Sequence, residues 1–151
     1  MRTYLVVIDD SPEAGIALRF AARRAARTGG GVAVLAIIPP QDFVAFGGVQ
    51  ATIEAEAREH AEQLAAAAAE AVVQEANVTP QILIKSGKPA EVVREVIADN
   101  DEIAALVLAT AASGAPGPLV ADFTGHDAGK LPCPVMLVPG GIEIGRLDAL
   151  S

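Results

Sequence analysis

Hydrophobic residues gather in short runs separated by longer amphipathic stretches. Thr3 to Ile8 and Val32 to Ile38 are continuous apolar, β-branched runs without polar alternation. That pattern suits strands buried on both faces, as in a sheet covered by crossover helices. Thr79 to Lys85, Ile103 to Leu108 and Val135 to Val138 supply three more strand-length runs.

Helical spacing fills the gaps. Pro12 and Glu13 open a helix capped by Ser11 or Asp10, with Leu18, Ala21, Ala22, Ala25 and Ala26 on one stripe. Arg19, Arg23 and Arg27 repeat on another face and read as solvated. The triple glycine 29–31 ends the helix. A long helix is expected from Ile53 to Glu75, with an inner stripe of Ile53, Ala57, Ala61, Leu64, Ala68 and Ala71. No large a/d seam repeats there, so packing on a sheet is favoured over a coiled coil. Pro89 starts a third helix facing inwards through Val92, Val93, Val96 and Ile97. Ala109 to Pro118 reads as a mobile connection, and Asp122 to Lys130 as a short helix. Gln41 to Gln50 reads as a loop whose Phe43 and Phe46 cover a ligand cleft or a subunit contact. The tail from Gly140 shows no clear element, although Ile142, Ile144 and Leu147 offer docking groups on the sheet edge or on a dimer partner.

The resulting order, five strands alternating with four helices, predicts one α/β domain over 1–151 with a doubly wound, mostly parallel sheet. Such sheets bind ligands beyond the strand C-termini, where strand order reverses. Asp9, Asp10, Ile37 to Pro40, Ser86, Gly87, Lys88 and the 109–117 connection all fall at such ends.

Composition narrows the chemistry. A net charge of −8 and a single tyrosine without tryptophan argue against nucleic-acid binding by phosphate contact or base stacking. No stretch reaches the roughly 18 apolar residues of a membrane span, and a cytoplasmic location is expected. Cys133 is the sole cysteine and reads as a small buried hydrophobe between prolines. Neither His60 nor His126 has a second histidine at ligand spacing, so no metal site is expected. Asp9 and Asp10 suit turn and cap roles. Ser11 lies outside any Gly-x-Ser-x-Gly elbow, and no catalytic residue is identified. Lys88 and Lys130 lack a Gly-Lys-Ser/Thr context.

Val7-Ile8-Asp9-Asp10-Ser11 resembles the first-strand signature of universal stress protein domains, where Asp-Gly-Ser is usual. Ser86-Gly87-Lys88-Pro89 resembles their turn into the third helix. Ala105 to Ala109, the Gly-rich connection after it, and Pro132-Cys133-Pro134-Val135 with Val138-Pro139 resemble their fourth strand, nucleotide loop and last strand. The resemblance implies a five-stranded parallel sheet of order 3-2-1-4-5 with helices on both faces. It implies a homodimer formed through Val135, Met136, Leu137 and Val138, and a stress-response role. In the branch that binds ATP, Asp9 matches the acid near the nucleotide and Ile37 the position whose backbone meets adenine.

That branch carries a loop of the form Gly-x2-Gly-x9-Gly-Ser/Thr after the fourth strand. Here Ala109 and Ala112 occupy its first two glycine positions, and without a gap its final pair becomes Asp122-Phe123. A shifted reading takes Gly114 and Gly117, then Gly125 and His126, with a shorter spacing and no hydroxyl. The expectation is a regulatory homodimer with a weak or degenerate nucleotide cleft, for ATP or another adenine nucleotide. An active ATP/AMP-binding sensor with slow hydrolysis and a structural interaction module with a protein partner are the alternatives.

Overall fold

The structure, a computed structural model, describes residues 1–41 and 48–151. Phe43 and Phe46 therefore lie outside the described residues. The elements are β1 (Thr3–Ile8), α1 (Pro12–Thr28), β2 (Gly31–Ile38), α2 (Gly48–Ala76), β3 (Gln81–Ser86), α3 (Pro89–Asp99), β4 (Ile103–Ala109), α4 (Pro118–Thr124), β5 (Val135–Val138) and α5 (Ile144–Leu150). A 3-10 turn at Ala128–Lys130 follows α4. All strand pairs are parallel, in the order β3-β2-β1-β4-β5.

Alternate residues of β1 feed opposite layers, as the period of a strand requires. Tyr4, Val6 and Ile8 join a core made with α1, the end of α2 and Leu147. Leu5 joins Leu35 and Leu106 against Val92, Val93, Val96 and Ile97 of α3 and Val120 and Phe123 of α4. The sheet is thus covered on both faces, which is why its central strands show no polar alternation.

Several local expectations are corrected. Ser11 takes the N-cap backbone position of α1 but makes no side-chain cap. Ala26 and Ala71 are exposed, while Ala65 and Val72 take the inner positions of α2. The helix expected over Asp122 to Lys130 instead starts at Pro118, whose fixed φ suits a first helical turn, and ends at Thr124.

The arginine stripe and the tail are corrected together. The tail forms α5, which buries Leu147 completely against the α1 layer. Arg19 Nε and Nη2 donate to the two carboxylate oxygens of Asp148, each at 2.8 Å, and Nη1 donates to Glu75 at 3.1 Å. Arg23 Nη1 reaches the other Glu75 oxygen at 2.7 Å. Its Nε lies 3.2 Å from Asp148 Oδ1 without hydrogen-bond geometry. The stripe therefore ties α1, α2 and α5 together. Only Arg27, exposed and donating to the Asp148 carbonyl at 3.0 Å, keeps a largely solvated position.

The Arg19 hydrogen bond, supported by the charges of Arg19, Arg23 and Arg27, holds the Asp148 carboxyl below its ordinary range. A carboxyl lowered by folding stabilises the fold above its unfolded pKa and loses that contribution as pH falls through the folded value. Below about pH 4, wild-type protein should lose thermal stability more steeply than Asp148→Asn. Equal slopes in a series of melting midpoints against pH would refute the tie.

Candidate functional site

At the C-terminal ends of the strands, β1 sits between β2 on one side and β4 on the other. The chain leaves β1 for α1 and returns to opposite flanks, so a crevice opens above this point. A cleft of about 360 Å³ lies there, within the size range of small-molecule sites. Val7, Ile8 and Ile37 form its floor. Ala57, His60, Ala61 and Leu64 of α2 form one wall, Pro118 and Leu119 of α4 another, and Asp9 and Asp10 the polar rim. A smaller hollow of about 70 Å³ adjoins it, shares Val7, Asp9, Pro118 and Leu119, and extends along Ala109 and Gly117.

The two acids have different tasks. Asp9 Oδ1 accepts from the Ser11 backbone N–H at 2.9 Å and from the Ser11 hydroxyl. This Asx-type turn redirects the chain into α1 and takes the place of the cap expected from Ser11. Asp10 turns the other way, where both its oxygens meet His60 Nε2, at 3.0 and 2.8 Å. This pair links the end of β1 to α2. The described residues contain no cluster of three or more acid, histidine or cysteine side chains able to hold a metal.

Of the other residues singled out in the sequence, Ile37 lines the cleft, and Ala109 and Gly117 line the hollow. Gly117 takes φ +114° immediately before α4, a conformation that favours glycine. Gly87, at φ +145°, donates to the Ile38 carbonyl at 3.0 Å, and an added Cβ would press on Val92 at 2.9 Å. It serves the β3–α3 turn. Lys88 is exposed directly before Pro89, which borders the cleft. Gly114, Asp122, Gly125 and His126 are exposed and line neither cavity. Phe123 is a core residue, 2% exposed, with the Arg94 guanidinium 4.9 Å from its ring centre.

Cys133 is partly buried against the α3 layer. Burial pushes its thiol pKa up against the opposing backbone hydrogen bond of Leu106, so a reactive thiolate is disfavoured.

His60 is the site residue that sequence reasoning passed over. Ala57, His60, Ala61 and Leu64 stand at i, i+3, i+4 and i+7, a single helix face. Three of these were read as an inner stripe. The partner of the histidine on the same face, Asp10, lies 50 residues away in the chain, so spacing along the helix carries no sign of it.

A family model described as the universal stress protein family matches residues 1–139. No curated protein matches the chain in sequence. Among solved structures, the universal stress protein UspA from Lactobacillus plantarum is 20% identical, with a TM-score of 0.75 over 90% of this chain and 96% of that one. The universal stress protein from Archaeoglobus fulgidus in complex with dAMP is 19% identical, with a TM-score of 0.60 over 91% and 98%. A universal stress protein in complex with cAMP is 15% identical, with a TM-score of 0.58 over 91% and 96%. At these identities the likeness is one of fold. No helix among the described residues is long and apolar enough to cross a membrane.

Proposed function

The chain belongs to the universal stress protein family, and from that premise we propose that it is a homodimeric stress-response regulator that binds an adenine nucleoside monophosphate. The observation that carries this reading is the cleft above β1 and β2. Its floor and walls are mainly apolar and suit a flat base, while Asp9 and Asp10 offer acceptors at the rim for amine or hydroxyl donors. Relatives of the same fold hold dAMP and cAMP, which favours a ligand-responsive cleft over one emptied of function.

The phosphate count is argued from charge. Two carboxylates border the cleft, and its described lining contains no lysine or arginine. Lys88 is the nearest lysine in sequence to a lining residue, and it has no ion-pair partner among the described residues. Ala109 and Ala112 stand where glycines would let backbone N–H groups close around a polyphosphate. One phosphate is tolerable in this setting; three are not.

Titration calorimetry at fixed ionic strength tests the reading. AMP should bind with a Kd on the order of 100 μM, and ATP about five-fold or more weaker. Low-micromolar ATP binding would overturn the monophosphate preference. Silence with every adenine nucleotide would overturn the proposed ligand altogether.

A further inference from the structure

We infer that His60 sets the charge of the cleft mouth and thereby selects its ligand: protonated, it cancels Asp10 and admits a phosphate; neutral, it leaves the mouth anionic. This inference rests on the nucleotide reading and adds to it a residue and a direction of control.

Among the described lining residues His60 is the only side chain able to carry positive charge; it contacts the Asp10 carboxylate, and Asp9 borders the same cleft. The segment after β2 contributes Pro39 and Gln41, and the first turns of α3 and α4 contribute Pro89, Pro118 and Leu119, all uncharged. Lys88 precedes Pro89. On α2 itself, the helical neighbours of His60 are Glu56, Ala57, Gln63 and Leu64, of which Glu56 alone is charged. The imidazole is thus surrounded mainly by acids.

The geometry leaves a free donor. Nε2 is engaged by both oxygens of Asp10, whereas Nδ1 has no hydrogen-bond partner among the described residues. In the doubly protonated ring both nitrogens donate. One proton then stays on the Asp10 contact and the other is available to a ligand oxygen. Histidine is the side chain type whose gain and loss of a proton ordinarily belongs to the physiological pH range. The side chains of His60 and Asp10 are 54% and 73% exposed, so water screens the interaction and the effect is moderate.

The probe is cAMP, whose phosphodiester keeps one negative charge over this interval, unlike AMP, whose own phosphate titrates near pH 6. In calorimetry at constant ionic strength, cAMP affinity for wild-type protein should rise about five-fold from pH 8.0 to pH 5.5, the size of one screened unit-charge interaction. His60→Gln should bind at the weaker, high-pH level throughout. His60→Arg should bind at the tighter level throughout, and His126→Gln should behave as wild type. Repeating the titration at pH 6.5 in buffers of different ionisation enthalpy should show proton uptake on binding in wild type and none in His60→Gln, as reciprocal coupling requires. A pH dependence that survives in His60→Gln, or pH-independent binding in wild type, overturns the inference and leaves the nucleotide reading standing. No heat with cAMP at any pH overturns the inference, and if AMP is also silent the nucleotide reading falls with it.

Discussion

Gly140→Ala is expected to destabilise the protein by about 3 kcal/mol, near the upper end of overpacking penalties. Gly140 lies just beyond β5, where the chain crosses close to the end of β4. An added Cβ would overlap the Thr110 carbonyl oxygen and lie 3.1 Å from the Thr110 carbonyl carbon and 3.2 Å from that of Ala111. All three atoms are backbone, so no side-chain rotation relieves the contact. Relief requires parting two segments held by hydrogen bonds: Thr110 N–H to the Val138 carbonyl at 2.9 Å, and Gly140 N–H to the Thr110 hydroxyl at 3.2 Å. The loop from Thr110 to Gly117 starts at this junction and ends at the hollow beside the cleft. Its displacement should therefore weaken ligand binding as well. For a chain of this size the loss corresponds to a fall in melting temperature of roughly 6–12 °C. Gly141→Ala is the matched control, because its Cβ would meet Ala112 atoms at ordinary distances of 3.7–3.9 Å. It should change stability by no more than about 0.5 kcal/mol. Equal urea midpoints for Gly140→Ala and wild type would refute the close approach.

The contrast between these glycines was invisible in the sequence, where both simply opened a tail. What the sequence carried well was anything set by local pattern. β1 and β5 begin and end where their apolar runs do, and the inner face of α3 holds the four residues its spacing assigns. Parallel pairing followed from continuous apolar runs and long crossovers. Contacts between distant segments were not legible. The arginines of α1 looked solvated because their partners, Glu75 and Asp148, are 52 or more residues away. The same limit applied to the candidate site. Asp9, Asp10 and Ile37 lie on the C-terminal side of their strands by topology alone, and the structure brings them to one cleft. Of the residues that motif spacing suggests in the loop after β4, Gly117 lines only the adjoining hollow, and Gly114, Gly125 and His126 line neither cavity. His60 became visible once the fold set α2 over the end of β1.

Leu137→Lys is expected to convert a dimer into a monomer of 15.4 kDa. Among the described residues β5 is an outer strand of the sheet, paired with β4 on one side and with no strand on the other. Unpaired edges in isolated domains are usually blunted by charge, bulges or cover. The other edge, β3, carries the exposed Lys85, whereas β5 consists of Val-Met-Leu-Val without a charge. The segment after β5 adds no strand to the edge, since it forms α5 and buries Leu147 in the α1 layer. Two copies of β5 related by a two-fold axis offer each other the same donors and acceptors, and an antiparallel ladder in which Leu137 faces its own copy satisfies them. Within the strand the side chains are unequal. Val138 is buried, and Val135 and Met136 pack partly on the two core layers, but Leu137 is 46% exposed. Lysine at 137 should therefore cost the monomer less than about 1 kcal/mol. In the dimer it would place like charges close across the axis and desolvate them. Ile82→Lys on β3, at a similarly exposed apolar position (47%), is the control and should leave the assembly intact. Light scattering at low micromolar protein should give twice 15.4 kDa for wild type and Ile82→Lys, and 15.4 kDa for Leu137→Lys, which should still melt cooperatively but at a lower midpoint, having lost the stabilisation that dimerisation adds. A monomeric wild type, or a Leu137→Lys variant that stays dimeric, would rule out the β5 interface.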